Sequence, residues 1–208
     1  NEDLAPVFFN RMIKSTAEAN KVSLIVWPES AIYYPLNFAD ELVKEISKAS
    51  SGIPVAFGAL RFDENKKLLN SLILHKRDEK QQIYDKSILV PFGEYLPLSY
   101  FLSNLGLSSM VNSYGAGFTS GHGADLIEVD SDFYFQPLIC YEAIFPSILR
   151  ATSSRPDLVL QITNDAWFGR FSGPYQQLQI LKMRAIETGV PVARSANTGI
   201  SAVISANG

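Results

Sequence analysis

The 208-residue chain contains one cysteine, two histidines, two tryptophans and three methionines. A lone Cys140 cannot form an internal disulfide, so no disulfide framework holds the fold, and a single thiol suits a reducing or an oxidising compartment equally. His75 and His122 lie far apart in sequence without the spacing of metal ligands, and no metal or other cofactor is expected. Positive charge is not in excess: 18 Lys and Arg stand against 21 Asp and Glu, a net charge of -3. That balance leaves no electrostatic footprint for nucleic acid, and Lys66-Lys67 and Lys76-Arg77 read as solvated turns. No uninterrupted apolar run approaches the ~18 residues of a membrane span, and no basic start with a small-residue cleavage site is present. The chain as given is therefore expected to be soluble in type. Without a Gly-x-Ser-x-Gly elbow, and with no evident partner for either histidine, a conventional serine hydrolase is set aside.

What is present is apolar material: 47% of residues are hydrophobic and 19% charged, enough for one well-buried domain over 1–208 and too little for two. Leu4 to Asn20 repeats apolar residues at helical spacing, and Ser23 to Trp27 is a branched apolar run halted by Pro28. A helix over Phe38 to Ser50 and a strand over Val55 to Leu60 complete a β-α-β unit. Leu68 to His75 and Gln82 to Val90 read as a hairpin around the charged turn Lys76 to Lys80. Pro91 to Gly123 reads as a long loop with room for one helix. Beyond it, Ile127 to Val129, Phe133 to Cys140 and Leu158 to Thr163 read as strands, with a helix over Ile144 to Thr152. Pro174 to Thr188 is a further helix, and strands at Val192 to Arg194 and Ile200 to Ser205 follow. The class is α/β. Both ends are expected to be cut inside the domain, because so apolar a sheet needs edge partners that this stretch does not supply.

Three polar residues stand at the ends of apolar strands: Glu29 after Val26-Trp27-Pro28, Lys86 after Ile83-Tyr84-Asp85, and Cys140 after Leu138-Ile139. Such ends gather at one edge of an α/β sheet. Singly, each fits a structural role as well: a small core thiol, a helix-capping carboxylate, a surface lysine. Together they fit nucleophilic catalysis. A thiol is only a few per cent ionised at neutral pH and needs a base, which a carboxylate in a partly apolar pocket supplies. Attack on a carbonyl creates an oxyanion, which a lysine and the N–H after the cysteine can hold.

These segments resemble the Glu-Lys-Cys triad of the nitrilase superfamily of carbon–nitrogen hydrolases, and more closely its apolipoprotein N-acyltransferase branch. The matching phrases are Trp27-Pro28-Glu29-Ser30-Ala31, Leu89-Val90-Pro91-Phe92-Gly93-Glu94-Tyr95-Leu96-Pro97, Ile139-Cys140-Tyr141-Glu142 and Thr163-Asn164-Asp165-Ala166-Trp167-Phe168-Gly169. Arg184-Ala185-Ile186-Glu187 and Ala196-Asn197-Thr198-Gly199-Ile200-Ser201 extend the match almost to the end. The resemblance implies a four-layer α-β-β-α sandwich, here incomplete at both termini, and a cofactor-free, two-stage acyl transfer. Cys140 would take an acyl chain from a phospholipid and pass it to the α-amine of a diacylglyceryl-cysteine on a lipoprotein. Glu29 would be the base, with Lys86 and the Tyr141 N–H at the oxyanion. Glu94 and Glu142 match further acidic positions, for supporting the lysine and orienting the thiol, or for a loop salt bridge. Asn70 matches a polar supporting position, or a strand-end hydrogen bond. The branch carries membrane spans outside this stretch, which implies the bacterial inner membrane with the catalytic domain on its periplasmic side.

Between Tyr95 and Ser120, the residues Leu96, Leu98, Tyr100, Phe101, Leu102, Leu105, Leu107, Met110 and Val111 are more apolar than a solvated loop requires. They fit either a cover for an acyl chain or a helix packed into the core. The alternative function is a soluble amidase or nitrilase with the same triad, which would need a short polar entrance for water. A catalytically silent domain retaining the fold is disfavoured by the presence of all three triad residues.

Overall fold

The computed structural model describes residues 4–77, 79–95, 117–123, 125–152, 154–169 and 171–208. The apolar stretch from Leu96 to Val111, and the helix expected near it, lie outside the described residues. Helix α1 (Ala5–Glu18) leads to the short strand β1 (Ile25–Val26), and α2 (Asp40–Ser50) returns the chain to β2 (Val55–Phe62). β1 and β2 pair in parallel through Ile25 with Val55, which is the β-α-β unit read from the sequence. β3 (Leu68–His75) and β4 (Gln82–Asp85) add as antiparallel neighbours, giving a first sheet in the order β1-β2-β3-β4.

The second sheet holds β5 (Ile127–Asp130), β6 (Phe133–Ile139), β7 (Leu158–Asn164), β8 (Val192–Asn197) and β9 (Ala202–Ile204), in sequence order. β6, β7 and β8 run parallel, while β5 and β9 close the edges antiparallel. The short helix α3 (Pro146–Leu149) joins β6 to β7, and the long α4 (Gly173–Thr188) joins β7 to β8. Gly189, in the left-handed conformation at φ 65°, terminates α4, as its place after the last apolar turn predicts.

Strand alternation explains the layering. On β2, Val55, Phe57 and Ala59 face outward and pack with Phe9 of α1 and Ile46 of α2, while Ala56 faces inward. Leu72, Leu74 and Tyr84 of the first sheet meet Phe135, Ile139, Leu160 and Ile162 of the second. On the far side, Leu138, Val159 and Val192 pack with Leu181 and Ala185 of α4. The result is helix, sheet, sheet, helix. Because both faces of the central strands are covered, they read in sequence as continuous apolar runs.

Several expected elements change length, among them β1, β2 and β9, and three changes bear on the site or its surroundings. β4 stops at Asp85 instead of running to Val90, because later backbone groups find other partners: the N–H groups of Ser87 and Ile88 donate to Glu142, and that of Val90 donates to Glu94. The helix expected over Ile144 to Thr152 shrinks to α3, since Cys140–Ile144 forms a 3-10 turn and Phe145 is extended before Pro146. β8 runs three residues further than read, to Asn197.

Gly58, inside β2, allows the Pro28-Glu29-Ser30 backbone to cross directly over the strand. An ideal β-carbon there would sit 2.6 Å from Glu29 Cα and 2.8 Å from Pro28 O. The crossing is sealed by Gly58 N–H donating to Pro28 O at 3.2 Å and Ala31 N–H donating to Gly58 O at 2.9 Å. Gly58→Ala is expected to destabilise the fold by about 1–3 kcal/mol, read from the midpoint of chemical denaturation. An unchanged midpoint would mean that the crossing loop is not held as described.

Candidate active site

Glu29 lies three residues beyond β1, past Trp27 and Pro28. Trp27 is fixed by its indole N–H donating to Thr16 of α1 at 2.9 Å and by an edge-on contact with Phe9. The Glu29 carboxylate is only 6% exposed and accepts from Asn70 Nδ2 and from the Asn164 N–H, both at 2.7 Å. Asn70 comes from β3 and Asn164 from the end of β7, so one carboxylate bridges both sheets. Lys86 follows β4 directly and is 1% exposed. Its backbone N–H donates to Asn70 O at 2.8 Å, and its Nζ donates to Glu94 Oε1 at 2.6 Å. The other Glu94 oxygen accepts from Val90 N–H, which fixes that carboxylate across a tight loop.

Cys140 directly follows β6 and opens the 3-10 turn, with φ at 51°. A non-glycine residue in this left-handed region is strained, and such residues concentrate at functional sites. Its carbonyl accepts from Gln161 Nε2 at 2.9 Å. Two residues on, Glu142 is fully buried. Its Oε1 accepts from Tyr84 Oη, Ser87 N, Ser87 Oγ and Ile88 N at 2.7, 2.7, 2.8 and 3.2 Å, and its Oε2 accepts from Ile139 N at 2.8 Å. Glu142 thus ties the segment following Lys86 to the strand that carries Cys140.

Glu29, Lys86 and Cys140 line one cavity of about 410 Å³, together with Asn70, Glu94, Tyr141 and Asn164. Leu60, Val90, Phe118, Ile144 and Phe168 supply apolar wall. A more polar depression of about 550 Å³, lined by Gln82, Asp125, Tyr134 and Ser154 among others, contains none of the three. The strand ends do not gather on one sheet edge as expected: Glu29 and Lys86 come from opposite edges of the first sheet and Cys140 from the second. Face-to-face packing of two sheets, with a loop crossing at Gly58, replaces adjacency within one sheet. Among the described residues, no group of three His, Cys, Asp or Glu side chains could hold a metal ion.

Burial dominates the electrostatics. It raises the Glu29 carboxyl above its ordinary 4.5, against the opposing pull of Lys86, Asn70 and Asn164. It pushes the Cys140 thiol up to about 11, with Glu29 adding to the rise and Lys86 and a hydrogen bond with Thr163 opposing it. Burial pulls the Lys86 ammonium down, but Cys140, Glu29 and Glu94 outweigh it and hold the lysine above its usual range. The resting arrangement is therefore a neutral thiol between a carboxyl that holds a proton more tightly than usual and a cation.

A family model described as carbon–nitrogen hydrolase matches residues 8–208. The chain belongs to the carbon–nitrogen hydrolase family. It is 41% identical over 199 residues to the apolipoprotein N-acyltransferase of Rhodopseudomonas palustris, covering 92% of this chain and 37% of that protein. It is 37% identical over 214 residues to the protein of that name from Brucella suis, covering 96% of this chain and 40% of the relative. The chain thus spans about two fifths of the length of these curated relatives. Among solved structures, an amidase of the nitrilase superfamily from Nesterenkonia superposes with a TM-score of 0.66 at 16% identity, covering 98% of this chain and 79% of the amidase. The glutamine-dependent NAD+ synthetase of Acinetobacter baumannii gives the same TM-score at 17% identity, over 98% of this chain and 39% of that one. Both superpositions show a shared fold, here the four-layer arrangement of helix, sheet, sheet and helix.

Within this carbon–nitrogen hydrolase site, sequence reasoning overlooked the residues beneath Cys140. Gln161, Thr163, Asp165 and Arg194 are all buried and polar; Gln161, Thr163 and Arg194 fall in runs that read as plain strand, and Asp165 lies two residues past one. The available signal was a row of polar residues at alternate positions of β7, which a fully buried strand does not carry without partners. Glu142→Gln is expected to destabilise the protein by about 1–3 kcal/mol, because an amide presents donors where five donors already point. Thermal or chemical unfolding checks this, and a variant as stable as the wild type would refute the tie between Glu142 and the segment after Lys86.

Proposed function

We propose that this chain is the catalytic domain of a longer, membrane-attached N-acyltransferase that loads a fatty acyl group from a phospholipid onto Cys140. The acyl group then passes to the α-amine of the diacylglyceryl-cysteine of a lipoprotein. The observation that carries this reading is the meeting of Glu29, Lys86 and Cys140 in a cavity with apolar walls and an exposed aromatic rim. Trp167 lines the cavity yet is 83% exposed, and Phe171 and Tyr175 stand exposed close behind it in sequence. A rim of this kind suits a lipid chain better than water. The names of the longer relatives from Rhodopseudomonas and Brucella support the same cargo. Among the described residues no helix is long and apolar enough to cross a membrane, so attachment falls to the remainder of the protein, at the inner membrane with this domain on its periplasmic side.

In the first stage Glu29 takes the Cys140 proton as Sγ attacks the ester carbonyl. The displaced electron pair rests on the carbonyl oxygen, where the Lys86 ammonium and the Tyr141 N–H stabilise it. Collapse breaks the ester C–O bond, Glu29 returns the proton to the leaving oxygen, and lysophospholipid departs from the thioester. In the second stage the amine attacks the same carbon and Glu29 accepts its proton. Collapse now breaks the C–S bond, leaving an amide product, and the sulfur recovers its proton. Glu94 holds Lys86, Asn70 holds Glu29, and Glu142 holds the backbone on either side of the cavity.

Incubation of the intact protein with phosphatidylethanolamine is expected to give a hydroxylamine-labile adduct on Cys140, absent from Cys140→Ser, as read by intact mass. A solved Nesterenkonia amidase carries the acetamide moiety of fluoroacetamide on its active-site cysteine. Labelling of Cys140 by fluoroacetamide with none by phospholipid would therefore favour a small-amide hydrolase. The raised carboxyl of Glu29 sets the pH dependence: a base is lost on protonation, so thioester formation is expected to fall as pH drops, with its midpoint above 4.5. Glu29→Gln should lower the rate by about 100-fold or more while leaving the unfolding midpoint within about 1 kcal/mol. A single-turnover rate equal to the wild type would remove Glu29 from the mechanism.

A further inference from the structure

On the α4 side of the second sheet, a relay of buried polar side chains ends on the backbone of Cys140. Gln161 shares the face of β7 that carries Val159, while Leu160 and Ile162 face the first sheet, and Arg194 of β8 lies opposite Gln161 in the parallel register. Gln161 Nε2 donates to the Cys140 carbonyl at 2.9 Å, and Gln161 Oε1 accepts from Arg194 Nη1. Arg194 Nη2 pairs with Asp165 Oδ2 at 2.6 Å, with both side chains fully buried, and its Nε donates to Ile200 O at 2.9 Å. Asp165 Oδ1 accepts from Thr163 Oγ1 at 3.1 Å, and Gly199 packs so closely that any β-carbon there would overlap the Asp165 carboxylate.

A buried ion pair is a poor source of net stability, because desolvating both charges cancels most of their attraction. Here the pair fixes an amide. A glutamine side chain can turn over and exchange its oxygen for its nitrogen, but a guanidinium carries donors only, so the oxygen must face Arg194 and the NH2 is committed to Cys140. The consequence falls on the next peptide group. In a planar trans peptide the C=O and the following N–H point in opposite directions, so a carbonyl held by Gln161 turns the Tyr141 N–H away from Gln161. Tyr141 lines the cavity with Glu29 and Lys86, and Gln161 does not. The Tyr141 N–H also belongs to the first turn of the 3-10 helix that opens at Cys140, where N–H groups have no partner within the helix. Cys140 itself stands at φ 51°, a conformation that persists in a non-glycine residue only where its surroundings fix it.

We propose that Gln161 is a positioning residue for the oxyanion site: by gripping the Cys140 carbonyl it aims the Tyr141 N–H at the oxygen of the attacked carbonyl, and the Arg194–Asp165 pair sets which end of its amide does so. When Sγ forms its bond to the acyl carbon, the carbonyl electron pair moves to oxygen, which accepts from the Tyr141 N–H and from Lys86. Gln161 gains and loses no proton and touches no reacting atom. Its hold matters because an oxyanion donor lowers the barrier only if it already points where the charge develops. The inference rests on Cys140 being the nucleophile and on the Tyr141 N–H serving the oxyanion, and on no particular acyl donor.

Two reactions of Cys140 in the intact protein separate this role from packing. Acylation by p-nitrophenyl octanoate passes through an oxyanion, whereas alkylation by iodoacetamide displaces iodide from a saturated carbon and forms none. Gln161→Met, similar in size but without an amide, is expected to slow octanoylation of Cys140 by about 10- to 100-fold while alkylation stays within about twofold of wild type. Intact mass reads both, the octanoyl adduct being hydroxylamine-labile. Arg194→Lys, which keeps the charge but loses the fork, is expected to slow octanoylation and not alkylation, and to add little to Gln161→Met. It gives the same reading if the methionine variant does not fold. Equal slowing of both reactions would make Gln161 a packing residue, and wild-type octanoylation in Gln161→Met would mean that the Tyr141 N–H needs no such hold; either result overturns the inference. If phospholipid fails to acylate Cys140 while the Gln161 series behaves as expected with the octanoate ester, the donor reading falls and this one stands.

Discussion

The site depends on one constraint: every charge brought to it is buried and must be answered by a named partner. Glu142 shows this most plainly. Its carboxylate has no exposure and collects five donors, four from the end of β4 and the segment after it and one from the last residue of β6. Those donors belong to different sheets, so satisfying the carboxylate fixes the relative position of the two strand ends that carry Lys86 and Cys140. Leaving it unsatisfied would cost far more than the hydrogen bonds contribute net, which makes the connection rigid.

The same logic repeats at each of the three proposed catalytic side chains. Glu29 bridges Asn70 of the first sheet and Asn164 of the second, Lys86 is matched by Glu94, and the backbone of Cys140 is held by Gln161. Low dielectric then sets the protonation states. Burial raises both the carboxyl and the thiol, so the two groups between which the proposed mechanism moves a proton are both of weakened acidity, beside a lysine held charged. In the proposed mechanism, a lysine already in place at the oxyanion would lower the barrier without reorganisation at the moment of reaction.

Much of the frame was legible in the chain itself. The bounds of β3 were read to the residue, and α1, α2 and α4 were located because amphipathic spacing and helix-ending signals are local. The strand after Gln82 was overextended because Lys86 to Val90 is apolar enough to continue a strand, while the groups that end it, Glu94 and Glu142, act on its backbone from elsewhere. The helix after Cys140 was overcalled because its apolar spacing is helical and nothing local announces a 3-10 turn. Gly58 went unnoticed, since a glycine in an apolar strand looks incidental until another backbone crosses it.

By itself, the sequence determined the α/β class, the order of elements and the three residue types on which a thioester chemistry could be built. Those depend on periodicity, on turn residues and on short phrases, all of which are local. Only the tertiary structure decided that Glu29 and Lys86 approach Cys140 from another sheet, and that the buried polar side chains of Thr163, Asp165, Arg194 and Gln161 are linked to one another and, through Gln161, to the Cys140 carbonyl. The reason is separation: the carboxylate of Glu142 finds Ser87 across 55 residues, and Glu29 finds Asn164 across 135. Hydrogen bonds over such distances exist only once two sheets have packed, and no local pattern encodes which buried donor will meet which acceptor.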